Sequence, residues 1–445
     1  MSHSPQPNVD PSTAVRRRKA VFASWIGTTI EYYDFSGYGL AASLIFPILF
    51  FPTSNPAVAT LLSLSTFAVG YIARPVGAAV FGHYGDRIGR KKALVVTLVL
   101  MGAATFAIGL LPTYSQIGFI APVLLVVARL LQGFSVGGEY GGAVLMTVEH
   151  SGERKGLFGS LVNTGATAGL ILANVVFLAV FQLPDDHLYT WGWRIPFLLS
   201  GILVIIGLVA RVALEETPDF EKVKQHSEIQ DRPLVDVFRN HASTVLLLAL
   251  GIIAAGTAFT MTTVYSLSYG TAVLGLSSST MLAVLLPATV TILIALPLFG
   301  SLADRIGVRK VFLGGAASLV VLPFCWFPLM ETGRYIPMLA GFVLVFLGYS
   351  ANYAVVPAYF SQVFPPSVRF TGMSIGLTIG LIAGNAIAPS VSSLLQEMTG
   401  GWVGVAIYMA IAAMVSFVAA LFLRIPRADG LIDDPATTPV AVETK

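Results

Sequence analysis

Apolar residues gather in twelve stretches, at roughly 21–50, 57–82, 93–112, 118–147, 157–182, 195–214, 242–270, 278–302, 311–330, 335–361, 371–396 and 402–424. Each reaches or exceeds the ~20 residues an α-helix needs to cross a hydrocarbon core. Several contain Gly or Pro, which spanning helices tolerate because neighbouring helices satisfy the freed backbone groups. The short alternating segments of a membrane β-barrel are absent. The pattern predicts an all-α membrane protein of twelve helices. The first stretch follows Arg16, Arg17, Arg18 and Lys19, as a signal peptide would. It carries Glu31 and Asp34 and continues to Phe51, so it reads as a span.

Composition agrees with this reading and narrows the function. Of 445 residues, 55% are hydrophobic and only 11% charged, with a mean hydropathy of +0.79. Soluble domains carry about 25% charged residues. This argues against a cytosolic enzyme, a nucleic-acid binder and a disordered scaffold. The single cysteine, Cys325, leaves no disulfide framework and no multi-cysteine metal site. The histidines show no ligand spacing and no phosphate-binding loop occurs, so neither a metal nor ATP is expected as a cofactor.

Positive charge sets orientation. With the N-terminus inside and the spans alternating, 22 of the 26 Lys and Arg residues fall on the inner side. Both termini are therefore expected in the cytoplasm. The expected organisation is a tail at 1–20, a six-helix half at 21–214, a cytoplasmic linker at 215–241, a second six-helix half at 242–424 and a tail at 425–445. The residues beyond Pro426 are polar and read as a disordered tail.

The two halves repeat. The segment after the second stretch reads GHYGDRIGRKK (Gly82–Lys92), and the one after the eighth reads GSLADRIGVRK (Gly300–Lys310). Asp86 and Asp304 are 218 residues apart, as are Gly89 and Gly307. A weaker match joins Arg154-Lys155-Gly156 to the segment Arg369–Gly372. The two glycines shared by the segments permit a tight connection, and the aspartate can accept from N–H groups at a helix start. One such segment reads as a charged turn that fixes topology. Two in register read as a latch between helix ends that must break during transport. Its candidates are Gly82, Asp86, Arg87, Gly89, Arg90, Gly300, Asp304, Arg305 and Gly307, with Glu149 placed to pair with the arginines. Parallel repeats of this kind bind substrate near the midplane between the halves.

Five ionisable residues lie within spans: Glu31, Asp34, Arg74, Arg129 and Glu139. Such residues are expensive in a membrane and functional candidates by default. Asp34 and Arg129 are expected to pair. Protonating the aspartate would free the arginine for an anion, which couples proton to substrate. The alternative is a static ion pair. Glu31 shares a helical face with Asp34, and Tyr38 extends it. Glu31 has three readings: it binds substrate hydroxyls, helps carry the proton, or packs helices. Arg74 suits a carboxylate, or lines the inner vestibule as a gating residue. Glu139 reads as a structural partner. Arg194 steers anions at the outer mouth, or sits beside the interface anchors Trp191 and Trp193. Gln132, Asn163, Tyr265, Asn352, Tyr353 and Asn385 line the cavity or tie helices together. Gly133-Phe134-Ser135-Val136-Gly137 fits a hydrolase elbow in letters only, because it lies mid-span and reads as small-residue packing.

The paired segments resemble the signature of the major facilitator superfamily. Glu31-Tyr32-Tyr33-Asp34-Phe35, Arg74-Pro75-Val76-Gly77, the run from Arg129 to Glu139 and Trp191-Gly192-Trp193-Arg194-Ile195-Pro196 resemble its metabolite:H+ symporter family. The resemblance covers roughly residues 20–425 and extends to the shikimate branch through Phe81–Leu94 and Trp402–Ala410. Family members often have a tryptophan where this chain has Tyr32. The resemblance implies proton-coupled symport of a small organic acid across the cytoplasmic membrane by alternating access. It also implies Asp34 and Arg129 as proton site and partner. The alternatives are a zwitterion carrier for proline or betaine, and a drug/proton antiporter. A receptor would need a signalling domain or a long tail, and a passive channel would not need paired latches. The expected partners are the small-molecule substrate, protons and lipids, with a monomer as the default and no nucleic acid.

Overall fold

Large apolar side chains face outward along the whole bundle, among them Ile72, Val99, Phe119, Ile205 and Phe422, while Glu31, Asp34, Arg129 and Glu139 are buried within it. That inversion is what a lipid-facing protein requires, because a helix satisfies its own backbone and can then present hydrocarbon outward. The computed structural model describes residues 11–53, 55–226 and 230–425, and no strand occurs among them.

The first half contains α1 (Pro11–Leu44), α2 (Pro56–Ile88), α3 (Arg90–Leu110), α4 (Ile120–His150), α5 (Lys155–Val180) and α6 (Ile195–Val212). The second contains α7 (Ala242–Ala272), α8 (Ser278–Ile306), α9 (Val308–Glu331), α10 (Tyr335–Tyr353), α11 (Arg369–Thr399) and α12 (Val403–Phe422). Among the described residues, eleven helices are long and apolar enough to cross a membrane. The remaining one, α1, has length to spare at 34 residues. Its acids and basic run dilute its apolar character, yet it packs along α5 in the first half. It begins at Pro11, so Arg16–Lys19 are helical and do not belong to an open tail. The C-terminal tail expected beyond Pro426 lies outside the described residues.

Residues 215–241 contain two short helices, Pro218–Gln225 and Pro233–Asn240, with Phe220, Val223 and Val237 buried against the bundle. The repeated segments also differ from the expected turns. Each helix runs on through its Asp-Arg-Ile, and only Gly89 and Gly307 break the chain, at φ of 109° and 101°. A side chain is strained in that conformation, so Gly89 and Gly307 alone make the connections. Gly82 and Gly300 lie inside helices, where they permit contact between the halves. A methyl group at Gly82 would sit 2.7 Å from the Thr371 Cα.

Within the first half, α2 and α4 cross closely. A methyl group at Gly133 would run into the Gly70 carbonyl, and one at Gly77 into that of Phe134. The Gly133–Gly142 run is thus a helix-packing surface, and it holds α2 against α4 at the depth of Arg74 and Arg129.

Candidate transport cavity and latch

A cavity of about 260 Å³ lies between the halves. The first half lines it with Glu31, Tyr32 and Phe35 from α1 and with Phe67, Tyr71 and Arg74 from α2. The second half contributes Phe259, Thr260, Thr263 and Val264 from α7 and Asn385, Ala386 and Pro389 from α11. A narrower extension joins Glu31 and Arg74 to Tyr140, Ser374 and Asn385. Tyr140 and Tyr353 stack across the two halves, with ring centroids 6.4 Å apart and planes within 9°.

Arg74 makes no hydrogen bond or ion pair among the described residues. Its guanidinium lies over two ring faces, 4.6 Å from the Tyr71 centroid and 5.0 Å from that of Phe35. Such stacking stabilises a cation without neutralising it, so its N–H donors stay free for an anion. Beside it, Glu31 Oε2 is buried without a hydrogen-bond partner.

Asp34 and Arg129 are both 2% exposed, but they form no direct ion pair. This corrects the expected contact. Asp34 accepts from Thr105 Oγ1 at 2.8 Å and from Ser200 Oγ at 2.6 Å. Gln132 Nε2 donates to the same Thr105 oxygen at 2.8 Å, and Arg129 Nη1 donates to Gln132 Oε1. A chain of hydrogen bonds thus runs Arg129–Gln132–Thr105–Asp34. The Arg129 guanidinium stacks over Tyr38 at 4.1 Å and Phe67 at 4.9 Å. A recess of about 10 Å³ behind Phe35 brings Arg129 and Gln132 to Glu31 and Arg74. That is roughly the space one water molecule occupies. Asp34 itself lines neither recess nor cavity.

Of the other candidates, Asn385 lies on the main wall and Tyr353 lines a side pocket with Tyr32 and Asn385. Four lie elsewhere. Tyr38 is fully buried, with its hydroxyl 2.6 Å from Thr66 Oγ1, and serves as a platform for Arg129. Asn163 accepts from Tyr140 and donates to the Tyr353 carbonyl, each at 2.8 Å, so it ties the halves together. Tyr265 donates to Gln396 at 3.2 Å, and Asn352 to the Phe312 carbonyl at 3.2 Å. The cavity's aromatic residues and the hydroxyls of Thr105 and Ser200 escaped the sequence reading. Aromatics and hydroxyls are common in every span, so nothing distinguishes these few. Arg211, counted among the cytoplasmic cations, is buried and pairs with Glu139, which also accepts from Thr97 at 2.7 Å. Arg194 caps carbonyls of Gly109 and Leu111 at 2.7 and 2.8 Å.

The halves are fastened at the end bearing the repeated segments. Asp86 accepts from the backbone N–H of Phe370 and Thr371, at 3.2 and 2.9 Å, where α11 begins. Asp304 accepts from Gly156 and Leu157, at 2.7 and 2.9 Å, where α5 begins. Each aspartate therefore caps a helix of the opposite half. Glu149 binds Arg90 at 2.6 Å and Arg369 at 3.0 Å. Arg90 also donates to Thr217, and Arg369 to Asp219 at 2.7 Å. Glu216 accepts from the backbone of Arg90 at 3.1 Å and from that of Lys91. The 215–241 segment is thus part of the latch. Burial disfavours the Asp219 carboxylate, but the hydrogen bond and charge of Arg369 outweigh it and hold the carboxyl below its usual range. Arg87 and Arg305 are exposed and make no ion pair among the described residues.

A bundle of this kind, closed at one end around a central cavity, is a transporter architecture. The sequence matches the Major Facilitator Superfamily over residues 24–375 and 288–442. It is 40% identical over 423 residues to the inner membrane metabolite transport protein YhjE of Escherichia coli, covering 93% of this chain and 96% of that one. It is 34% identical over 428 residues to the shikimate transporter of E. coli, covering 95% and 98%. It is 33% identical over 425 residues to a putative proline/betaine transporter of Staphylococcus aureus, covering 95% and 91%. Among solved structures, a double-tryptophan variant of XylE superposes with a TM-score of 0.75 at 17% identity, covering 91% of this chain and 94% of that one. FucP in its outward conformation superposes with a TM-score of 0.65 at 16% identity, covering 91% and 99%. The chain belongs to the major facilitator superfamily. It is a multi-pass membrane transporter and not an enzyme.

Proposed function

We propose that the protein is a proton-coupled symporter of a small organic acid, working by alternating access in the cytoplasmic membrane. The observation that carries this reading is Arg74. It is a cation on the cavity wall with no carboxylate in contact, beside Glu31, whose second oxygen has no partner. The substrate carboxylate binds Arg74, and Glu31 and Asp34 carry the proton. Arg129 and Gln132 link the two acids through the recess and respond when either changes charge. The shikimate and metabolite carriers among the relatives support the substrate class.

The distribution of Lys and Arg supports cytoplasmic termini and a cytoplasmic latch, with the cavity facing outward. The units are a first half whose opening helix takes in Arg16–Lys19, the linker 215–241 and the second half 242–424, working as a monomer.

The aromatic lining and the proline/betaine relatives favour a second reading, a zwitterion carrier. The ring faces argue against it. Phe35, Tyr71, Phe67 and Tyr38 already hold guanidinium groups within 5.6 Å. Of the rings on the main cavity wall, only Tyr32 and Phe259 are left for a quaternary ammonium.

Tracer uptake into proteoliposomes under an inward proton gradient tests the proposal. The panel is shikimate, 2-oxoglutarate, citrate, benzoate, proline and betaine. Accumulation of an acid that a protonophore abolishes is the expected result. Accumulation of betaine or proline alone would replace the organic-acid reading with the zwitterion one.

A further inference from the structure

The two sides of the cavity differ in chemistry. Every charged group on its wall comes from the first half, whereas the second half presents neutral polar atoms from Thr260, Thr263 and Asn385. Both helices that carry these residues have a π-helical turn at that depth, at Met261–Tyr265 and Ile382–Ala386. Such turns are uncommon and occur often at functional sites. The hydrogen bonds leave a defined remainder. Thr263 donates to the Phe259 carbonyl at 2.7 Å, and Thr260 donates to Asn385 Oδ1 at 3.1 Å. Each threonine oxygen therefore retains acceptor capacity. The Asn385 Nδ2 donors have no partner among the described residues. The wall thus offers acceptors and donors side by side and no net charge.

With both threonine hydroxyls already donating, a second carboxylate would find free donors only on the amide, because it accepts and cannot donate. A hydroxyl group does both. We infer that Thr260, Thr263 and Asn385 are specificity-determining residues that read hydroxyl groups on the substrate, opposite the carboxylate held by Arg74. The inference rests on the organic-acid reading above and narrows it to hydroxylated monocarboxylates. Phe35 from the first half and Phe259 from the second line the same cavity and give apolar surface for a carbon skeleton between these two poles.

The test uses two pairs of acids that differ only in hydroxyl groups: shikimate against cyclohex-1-ene-1-carboxylate, and 3,4-dihydroxybenzoate against benzoate. Binding to the purified full-length protein is measured for the wild type, Thr263→Val, Asn385→Leu and the conservative Thr263→Ser. The wild type is expected to prefer the hydroxylated member of at least one pair. Thr263→Val and Asn385→Leu are each expected to reduce that preference about fivefold or more, the usual effect of one lost hydrogen bond. Affinity for the deoxygenated member should be retained, which shows that the variants are folded, and Thr263→Ser should keep the preference. Equal binding of both members by the wild type, or a preference unchanged in Thr263→Val and Asn385→Leu, overturns the inference while leaving the carboxylate reading intact. Failure of the folded wild type to bind any of the four acids overturns both.

Discussion

Asp304 accepts a hydrogen bond from the backbone N–H of Gly156 at 2.7 Å, across the boundary between the two halves. Asp86 makes the matching contact with Thr371 at 2.9 Å. The stronger repeat of each half therefore binds the weaker repeat of the other. The symmetry ends at the next helix start, where Arg90 corresponds to Val308. Only the Asp86 side thus carries the cluster of Arg90, Glu149, Arg369 and Asp219.

Asp304→Asn should weaken the latch without unfolding either half. A carboxylate capping two helix-start N–H groups contributes about 1–2 kcal/mol, so the closed fraction should fall by roughly five- to thirtyfold relative to the open one. Distance measurements between spin labels at the latch ends of α5 and α8 check this. An unchanged distribution would remove Asp304 from the latch.

Glu149→Gln should destabilise the closed form by about 3 kcal/mol, because it leaves the buried Arg90 guanidinium without its carboxylate. Arg369 retains Asp219 and is less affected. Thermal unfolding in detergent reads the loss. Replacing both partners, as Arg90→Met with Glu149→Leu, should recover much of it.

Asp219 gives the latch a defined acid limit. Its folded carboxyl lies below the usual value of 3.8, so its contribution is fully present above that value and is lost as pH falls through the lowered one. Latch closure should not change between pH 8 and about 5 on account of Asp219, and should weaken only below about 4. In Asp219→Asn that acid-side weakening should disappear, as label distances against pH would reveal.

Arg74→Ala should reduce affinity for the transported acid about a hundredfold, and Arg74→Lys about tenfold, since lysine keeps charge but loses the planar fork. Affinity for the corresponding carboxamide should be nearly the same in all three proteins. Equal losses for acid and amide would show that Arg74 only supports the cavity wall.

Asp34→Asn should abolish accumulation against a gradient but leave substrate exchange partly intact, because both hydroxyl partners, Thr105 and Ser200, can still bond an amide. Parallel loss of accumulation and exchange would mark the Thr105–Asp34–Ser200 cluster as a helix tie.

The span pattern, the internal repeat and the intramembrane charges were all legible in the chain. The hydrocarbon environment imposes length and apolarity locally, so α2 to α12 announce themselves one by one. The partners of the polar residues were not legible in the same way. Arg211 reads as one more cytoplasmic cation until α6 is set beside α3 and α1, from where its side chain reaches Glu139 on α4. Asn163 and Asn385 look alike as lone amides in apolar helices, yet one ties the halves and the other faces the cavity. The sequence determined by itself that the chain crosses the membrane about a dozen times as two related halves, with acids and arginines held inside. Tertiary structure alone decided that Asp34 reaches Arg129 through Thr105 and Gln132, that Arg74 remains free, and that the 215–241 segment joins the latch. The physical reason is that such contacts depend on helix rotation and crossing. Those are set by close packing at glycine positions such as Gly70 and Gly133, which lie on different helices and far apart along the chain.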